Sequence, residues 1–175
     1  MTREELEHAI RAACDILGDT EVYVFGSQAI LGQFPDAPEA LRQSAEADIS
    51  PKSNAVDVER LNSIGELSQF HRSFGFYVHG IRIDLAAKLP KNWEMRTIPI
   101  RTSTDGRTGH CLEAHDIAAS KLAAFREKDR DFVRVLIAEK LVTPRKLITR
   151  LRTLPSDVDN ERLIRWVDST VRELK

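Results

Sequence analysis

Two short motifs near the N-terminus carry the residue types that phosphoryl chemistry requires. The segment 22–27, Val-Tyr-Val-Phe-Gly-Ser, is typical of a buried strand that runs into a Gly-Ser turn. Such a turn directs backbone N–H groups and a hydroxyl toward a phosphate. Farther along, the segment 42–49 contains Glu46 and Asp48, separated by a single residue. If this segment is a strand, the two carboxylates lie on one face of the sheet, because side chains alternate along a strand.

Carboxylates beside a phosphate-binding turn predict a divalent-metal site. Mg²⁺ binds carboxylate oxygens, and a catalytic ion must also contact the phosphate oxygens of the substrate. The pattern therefore suggests a nucleotidyltransferase in which Glu46 and Asp48 hold Mg²⁺ or Mn²⁺, and in which Gly26 and Ser27 bind the phosphates of an NTP. The alternative for the Gly-Ser pair is purely structural, since it could simply end a strand and cap a helix.

A lysine on the buried face of a later helix is a second candidate. Within the predicted helix 115–129, apolar residues such as Ile117 and Leu122 form one stripe, and Lys121 falls inside that stripe. Two interpretations stay open. The side chain either snorkels from the edge of a core or holds a nucleotide phosphate as a point charge. Arg126, in the charged run that follows, is a secondary candidate for phosphate contact.

The bulk composition narrows the class of protein without deciding its function. The 175 residues suffice for one domain with a core, or for one domain with a helical appendage. The formal net charge of -1 indicates that contact with nucleic acid would depend on a local basic patch. The two cysteines, Cys14 and Cys111, are too few for a disulfide framework or a zinc site. With no signal peptide or membrane-spanning run in the sequence, we expect a cytoplasmic protein without a membrane partner.

The order of elements predicts an α/β fold with a C-terminal helical segment. We expect an α/β core over residues 1–114, with a mixed sheet of about five strands flanked by helices, and a helical segment over residues 115–175 that packs on it. Helices are predicted at 2–17 and 56–74, and strands at 21–25 and 45–50. A β-meander is predicted after them, with strands at 75–78, 81–89, 96–101 and 110–113. Its turns are expected at 79–80 and 104–106.

The order and spacing of these motifs resemble a known superfamily. They are Gly26-Ser27-Gln28-Ala29, then Arg42-x-Ser44-x-Glu46-x-Asp48, then Lys121 with Arg126 and Lys128-Asp129. Together they look like the DNA-polymerase-β-like nucleotidyltransferases, and most like the small bacterial branch near the AbiEii and MenT toxins. The resemblance spans about residues 22–135.

The resemblance implies roles for individual residues. Glu46 and Asp48 would stand where that superfamily has its metal carboxylates, although Glu46 replaces the usual aspartate. Ser44 would occupy the position of a threonine. The residues that would fall on the phosphate-handling helix are Lys121, Arg126 and either Asp129 or Asp131.

Such sites carry a third carboxylate on a later strand, and Asp84 is the natural candidate for it. It lies between Ile83 and Leu85 in the predicted strand 81–89. The alternative is an exposed strand residue paired with the adjacent Arg82. Without Asp84, the site would have two carboxylates and a single metal ion.

The resemblance also implies a reaction and its partners. It implies transfer of a nucleotide from an NTP to a hydroxyl acceptor, within a toxin-antitoxin or phage-defence system that includes an antitoxin protein. A tRNA 3′ end is one acceptor, and a protein side chain, as in nucleotidylating antitoxins, is another. We expect RNA, because basic residues gather in the C-terminal part. They are Arg126, Lys128, Arg130, Arg134, Lys140, Arg145, Lys146, Arg150 and Arg152.

A different class of function stays open at this stage. A chain with this fold and an atypical Glu46 could instead be an inactive nucleotide-binding or protein-binding module. Its aromatic cluster, between Phe70 and Tyr77, would then be a docking surface. Release of pyrophosphate distinguishes the two classes, since a binding module holds nucleotide without turning it over.

Overall fold

The computed structural model describes residues 1–53, 57–102 and 106–174. The first residue of the predicted helix 56–74 and most of the predicted turn 104–106 lie outside this described part. The chain divides into two compact units, Met1–Ala86 with Thr97–Leu112, and Ala87–Arg96 with Glu113–Lys175. No helix in the described ranges is both long and apolar enough to cross a bilayer.

The first unit is built on a five-stranded mixed sheet, which confirms the predicted α/β class. Its strands are β1 (Glu21–Phe25), β2 (Glu46–Pro51), β3 (Tyr77–Gly80), β4 (Ile98–Arg101) and β5 (Thr108–Cys111). Their order across the sheet is β3-β2-β1-β5-β4. β1 is antiparallel to β2 and parallel to β5, whereas β3 is parallel to β2. β4 and β5 are antiparallel.

Helix α1 (Arg3–Leu17) covers one face of this sheet. The predicted capping box is present, because the Thr2 hydroxyl accepts from the backbone N–H of Glu5 while the Glu5 carboxylate accepts from that of Thr2. The apolar stripe of α1 packs against β1, β2 and β5 and buries Leu6 and Ile10 completely. The other helices of this unit are short: α2 (Ile30–Gln33), α3 (Gln69–Phe74) and α4 (Ile83–Ala86).

The first part of the predicted β-meander is wrong, and Gly80 explains the error, whereas the strands predicted at 96–101 and 110–113 overlap the antiparallel pair β4 and β5. We expected residues 79–80 to form a turn and residues 81–89 to form a strand. Instead, Gly80 ends β3, and Ile83–Ala86 is helical. Gly80 is needed for close packing, since a Cβ there would lie 2.5 Å from the Cβ of Leu61.

The segment 56–74 is largely helical in its described part, as predicted, but it is not one continuous helix. A 3₁₀ helix spans Val58–Ile64, and α3 begins only after a break at Gly65. Ser68 caps α3 by accepting a hydrogen bond from the backbone N–H of His71.

The second unit contains the long C-terminal helices. They are α5 (Ala114–Ala124), α6 (Glu127–Ala138), α7 (Pro144–Leu151) and α8 (Asn160–Glu173). The single helix predicted over residues 115–129 is wrong, because Phe125 has φ 54° and ends α5. Arg126 then occupies the N-cap of α6. Pro144 stands in the first turn of α7, where its missing N–H costs nothing.

Candidate metal centre

Glu46 and Asp48 lie on one face of β2, beside His79 on the neighbouring strand β3. The alternate residues Ala47 and Ile49 point to the other face and are fully buried. The parallel pairing of the two strands places Asp48 opposite His79. Two carboxylates and an imidazole are therefore presented together by the regular backbone of two paired strands.

The three side chains converge closely enough to share one metal ion. The Nδ1 atom of His79 lies 3.0 Å from Oδ1 of Asp48 and 3.7 Å from Oε1 of Glu46. One ligand atom from each residue lies within 4.8 Å of the other two. Two ligands about 2.1 Å from an ion and at right angles to each other would be about 3 Å apart, so the spacing fits a divalent metal.

Gly26 places the turn after β1 directly against this group. Its φ of 66° is in the left-handed region that favours glycine. A Cβ at this position would overlap the Asp48 carboxylate, whose Cγ would be only 2.9 Å away. The backbone of the Gly-Ser turn thus packs directly against the Asp48 carboxylate.

Tyr77 fixes the orientation of Glu46. Tyr77 stands opposite Glu46 in the strand register, and its hydroxyl donates a 2.8 Å hydrogen bond to Oε2 of Glu46. Burial, together with the neighbouring Glu46 carboxylate, raises the pKa of the Tyr77 phenol. The hydroxyl therefore keeps its proton and remains a donor at neutral pH.

Asp48 is harder to ionise than an ordinary aspartate. Burial is the main reason, and the nearby charge of Glu46 acts in the same direction, while the hydrogen bond with His79 opposes them. The result is a pKa of Asp48 raised from 3.8 to about 6. A bound cation would supply the positive charge that this pair of carboxylates lacks.

This raised pKa predicts the pH dependence of stability in metal-free protein. Protonated Asp48 stabilises the folded state fully below pH 3.8, and that contribution is lost as the pH rises through about 6. We expect Asp48→Asn, which does not titrate, to be more stable than wild type at pH 7.5 by up to about 3 kcal/mol, with the gap closing toward pH 4. Urea melts with a chelator, run from pH 4 to 8, measure the difference. A constant gap at every pH would contradict the raised pKa.

Ser44 and Ser27 flank the carboxylates in different ways. The Ser44 hydroxyl accepts a 3.0 Å hydrogen bond from the backbone N–H of Glu46, which fixes the start of β2. Ser27 lies in the turn between β1 and α2, and its carbonyl accepts from the N–H of Ile30. Phosphate binding by Gly26, Ser27 and Ser44 stays a prediction.

The structure does not bring Asp84 into this group of side chains. Asp84 lies in α4, not on the strand we expected, and its side chain is 62% exposed. Its carboxylate accepts a 3.2 Å hydrogen bond from Nε of Arg82, the partner that the alternative interpretation named. His79 takes the third position among the converging ligand atoms.

Lys121 and Arg126 lie in the second unit, where they pair with the same carboxylate. Nζ of Lys121 is 3.3 Å from Oδ1 of Asp129, and Nε of Arg126 is 2.6 Å from Oδ2. Asp129 is fully buried. Burial alone would raise the pKa of its carboxyl, but the hydrogen bond from Arg126 and the charge of Lys121 outweigh burial and lower it. These contacts favour the structural interpretation of Lys121, whose Nζ also lies 4.5 Å from the centre of the Phe132 ring.

The Lys121 contacts predict what happens when its charge is removed. Lys121→Met keeps most of the apolar stem but leaves the buried Asp129 with one cation fewer. We expect the free energy of unfolding to fall by about 1 to 3 kcal/mol and nucleotide affinity to stay unchanged. Urea melts and titration calorimetry with an NTP measure the two quantities. A loss of affinity in the folded variant would assign Lys121 to phosphate binding instead.

Sequence reasoning missed His79 and Tyr77 as members of the site. In the sequence, His79 falls in the predicted turn at 79–80 and has no second ligand at metal-site spacing. The available indication was alternation: Tyr77 and His79 flank the buried Val78, as Glu46 and Asp48 flank Ala47. Because Gly80 follows His79 directly, these two residues are easily taken for the start of a hairpin turn and not for part of a strand.

No family model, curated protein or solved structure matched this chain. The features of this chain that bear on its function are therefore the Glu46, Asp48 and His79 group and the turn at Gly26.

Proposed function

We propose that this protein is a metal-dependent nucleotidyltransferase whose metal is held by Glu46 and Asp48. The observation that carries the proposal is the contact between the Asp48 carboxylate and the Gly26 turn, where no side chain fits. A metal carboxylate and the backbone of a phosphate-binding turn are adjacent in such a site. Asp48 is buried beside the Glu46 carboxylate, and a bound cation would neutralise the negative charge of the two carboxylates.

Each residue of the group has a defined task in this proposal. Glu46 and Asp48 hold the ion, and Tyr77 keeps one Glu46 oxygen fixed. The turn at Gly26 and Ser27 orients the triphosphate. When bound, the ion neutralises charge on the phosphates and on the leaving pyrophosphate. The acceptor oxygen forms a bond to the α-phosphorus, the bond from that phosphorus to the β-phosphate oxygen breaks, and the hydroxyl proton passes to solvent.

The test is a transfer assay with each NTP in turn. Purified protein is incubated with α-labelled ATP, CTP, GTP or UTP, total RNA, and either Mg²⁺ or Mn²⁺. Pyrophosphate release and label in RNA or protein are measured. We expect metal-dependent pyrophosphate release with at least one NTP. Nucleotide binding with no release under any combination would contradict the proposal and identify a binding module.

RNA is the acceptor that the second unit supports best. Four of the basic residues expected to contact RNA pair with carboxylates, namely Arg126 with Asp129, Arg134 with Glu173, Lys146 with Glu113 and Arg150 with the buried Asp116. Three arginines of this unit lie beside aromatic rings, and this combination suits RNA because arginine contacts phosphate while bases stack on rings. Arg130 and Arg162 lie 5.0 and 4.2 Å from the centre of the Phe125 ring, and Arg134 lies 5.9 Å from that of Trp166.

Salt dependence distinguishes RNA from a protein acceptor in the same assay. Transfer to tRNA that depends on these arginines should fall steeply between about 50 and 200 mM salt. Label that enters only protein bands would refute the RNA acceptor and support protein nucleotidylation. A cognate antitoxin partner stays a prediction from the resemblance.

A further inference from the structure

We infer that His79 is the third metal ligand, and that the resulting site of two carboxylates and one imidazole prefers transition-metal dications such as Mn²⁺ to Mg²⁺. The inference rests on the proposed function for the presence of a metal at Glu46 and Asp48. It adds the identity of the third ligand and the chemical class of the ion, neither of which depends on nucleotide transfer.

The position of His79 is set by strand pairing, not by a flexible loop. β2 and β3 are parallel, and His79 stands directly opposite Asp48 in their register. The ring presents Nδ1 to both carboxylates, at 3.0 Å from Asp48 and 3.7 Å from Glu46. About half of the His79 side chain is exposed, at 49%, so an ion can reach the group from solvent.

The two oxygens of Glu46 are divided between support and coordination. Oε2 accepts the hydrogen bond from Tyr77, whereas Oε1 is the atom that faces His79. Ligating carboxylates are commonly oriented by such an outer hydrogen bond. This arrangement offsets the extra methylene of Glu46, because the tyrosine fixes a side chain that would otherwise have more rotamers than aspartate.

The donor set decides which ions the site favours. Mg²⁺ prefers oxygen ligands in a near-ideal octahedron and gives up water reluctantly. An imidazole nitrogen suits transition metals, whose affinity for a given site follows the Irving–Williams order, with Mn²⁺ the weakest binder of the series. A site with Asp84 as third ligand would contain oxygen donors only, and it would lack this preference.

Direct metal binding tests the inference without any reference to catalysis. Titration calorimetry with Mn²⁺ and Mg²⁺ gives the affinity ratio, and pulsed EPR of the Mn²⁺ complex detects a ¹⁴N nucleus bound to the ion. We expect at least about tenfold tighter binding of Mn²⁺ and a clear ¹⁴N modulation. His79→Asp supplies an all-oxygen set, so the modulation should disappear and the affinity ratio should narrow by about tenfold.

Two further variants complete the design. His79→Gln removes the imidazole without adding charge, and it replaces His79→Asp if three carboxylates prevent folding. His110→Asn is the matched control, because His110 contacts Glu21 and does not belong to the group, so it should retain the ¹⁴N modulation. Absence of ¹⁴N modulation in wild type, or its persistence in His79→Gln, would overturn the inference.

The outcomes separate this inference from the proposed function. Mn²⁺ bound through nitrogen, with no pyrophosphate release from any NTP, would support the ligand assignment and refute the transferase. If pyrophosphate is released equally well with Mg²⁺ and Mn²⁺, and no nitrogen is bound to the metal, the transferase is supported and the assignment of His79 as a ligand is refuted.

Discussion

Replacing Asp48 with alanine is expected to lower the rate of metal-dependent nucleotide transfer by at least about 100-fold, and Glu46→Ala should do the same. Each change removes a carboxylate that the ion needs, and the remaining residues do not replace it. Initial rates of pyrophosphate release over a range of Mn²⁺ concentrations measure the loss. Wild-type rates in either variant would remove that residue from the site.

Loss of activity in these variants should not come from unfolding. Both side chains lie on the partly exposed face of β2, opposite the buried Ala47 and Ile49. Removing one carboxylate also relieves repulsion between the pair, so the metal-free variants should melt at or above the wild-type temperature. Thermal melts without metal and at saturating Mn²⁺ distinguish loss of metal binding from loss of the fold. Wild type should gain stability from the ion, and the variants should not.

Asp84→Ala decides between the two possible third ligands. The sequence predicts Asp84 in this role, whereas its carboxylate pairs with Arg82 in the structure. If His79 is the ligand, Asp84→Ala retains wild-type Mn²⁺ affinity. A loss comparable to that of Asp48→Ala would restore Asp84 to the site.

The part of the site that sequence could predict is local in the chain. β1, the turn at Gly26 and the alternation of Glu46 and Asp48 each follow from a few adjacent residues. The pairing of β1 with β2 brings the turn and the carboxylates together, with Phe25 opposite Asp48. About twenty residues, including α2, separate β1 from β2, but the two are consecutive strands, and consecutive strands commonly pair.

The third ligand could not be predicted because the predicted meander gives its strand the wrong partner. β3 pairs in parallel with β2, whereas the meander would pair residues 75–78 with residues 81–89. Local sequence does not distinguish a glycine that bends the chain at position 80 from one that packs against Leu61. A turn at residues 79–80 excludes His79 from the site, and it places Asp84 on the strand predicted at 81–89.

For Lys121, the sequence predicts burial of the side chain but not its partner. Helical periodicity correctly predicted that its side chain lies on a buried face, and that side chain is 12% exposed. Its pairing with Asp129 depends on the break at Phe125, whose φ of 54° is uncommon for a bulky residue. Because the predicted helix continued through that break, the geometry that joins the two residues could not be foreseen.

Gly26→Ala is expected to weaken metal binding severely, whereas Gly18→Ala should leave it unchanged. Both glycines have left-handed backbone angles, with φ 66° and φ 71°. An alanine at either position carries a similar backbone strain, of about 1 to 2 kcal/mol. Nothing lies within 4 Å of a Cβ built at Gly18, but a Cβ at Gly26 occupies the space of the Asp48 carboxylate. The control variant therefore reports the strain alone.

The Gly26 variant must move Asp48, and that displacement separates it from its control. Asp48 is held on β2 by pairing with strands on both sides, so a shift of its carboxylate also changes its distance to His79. We expect Mn²⁺ affinity to fall by at least about 100-fold in Gly26→Ala and to stay at the wild-type value in Gly18→Ala. Calorimetric titration with Mn²⁺, together with urea melts of both variants, measures these effects. Equal affinity in the two variants would show that contact between the turn and Asp48 is unimportant for the metal, and it would remove the observation on which the transferase proposal depends.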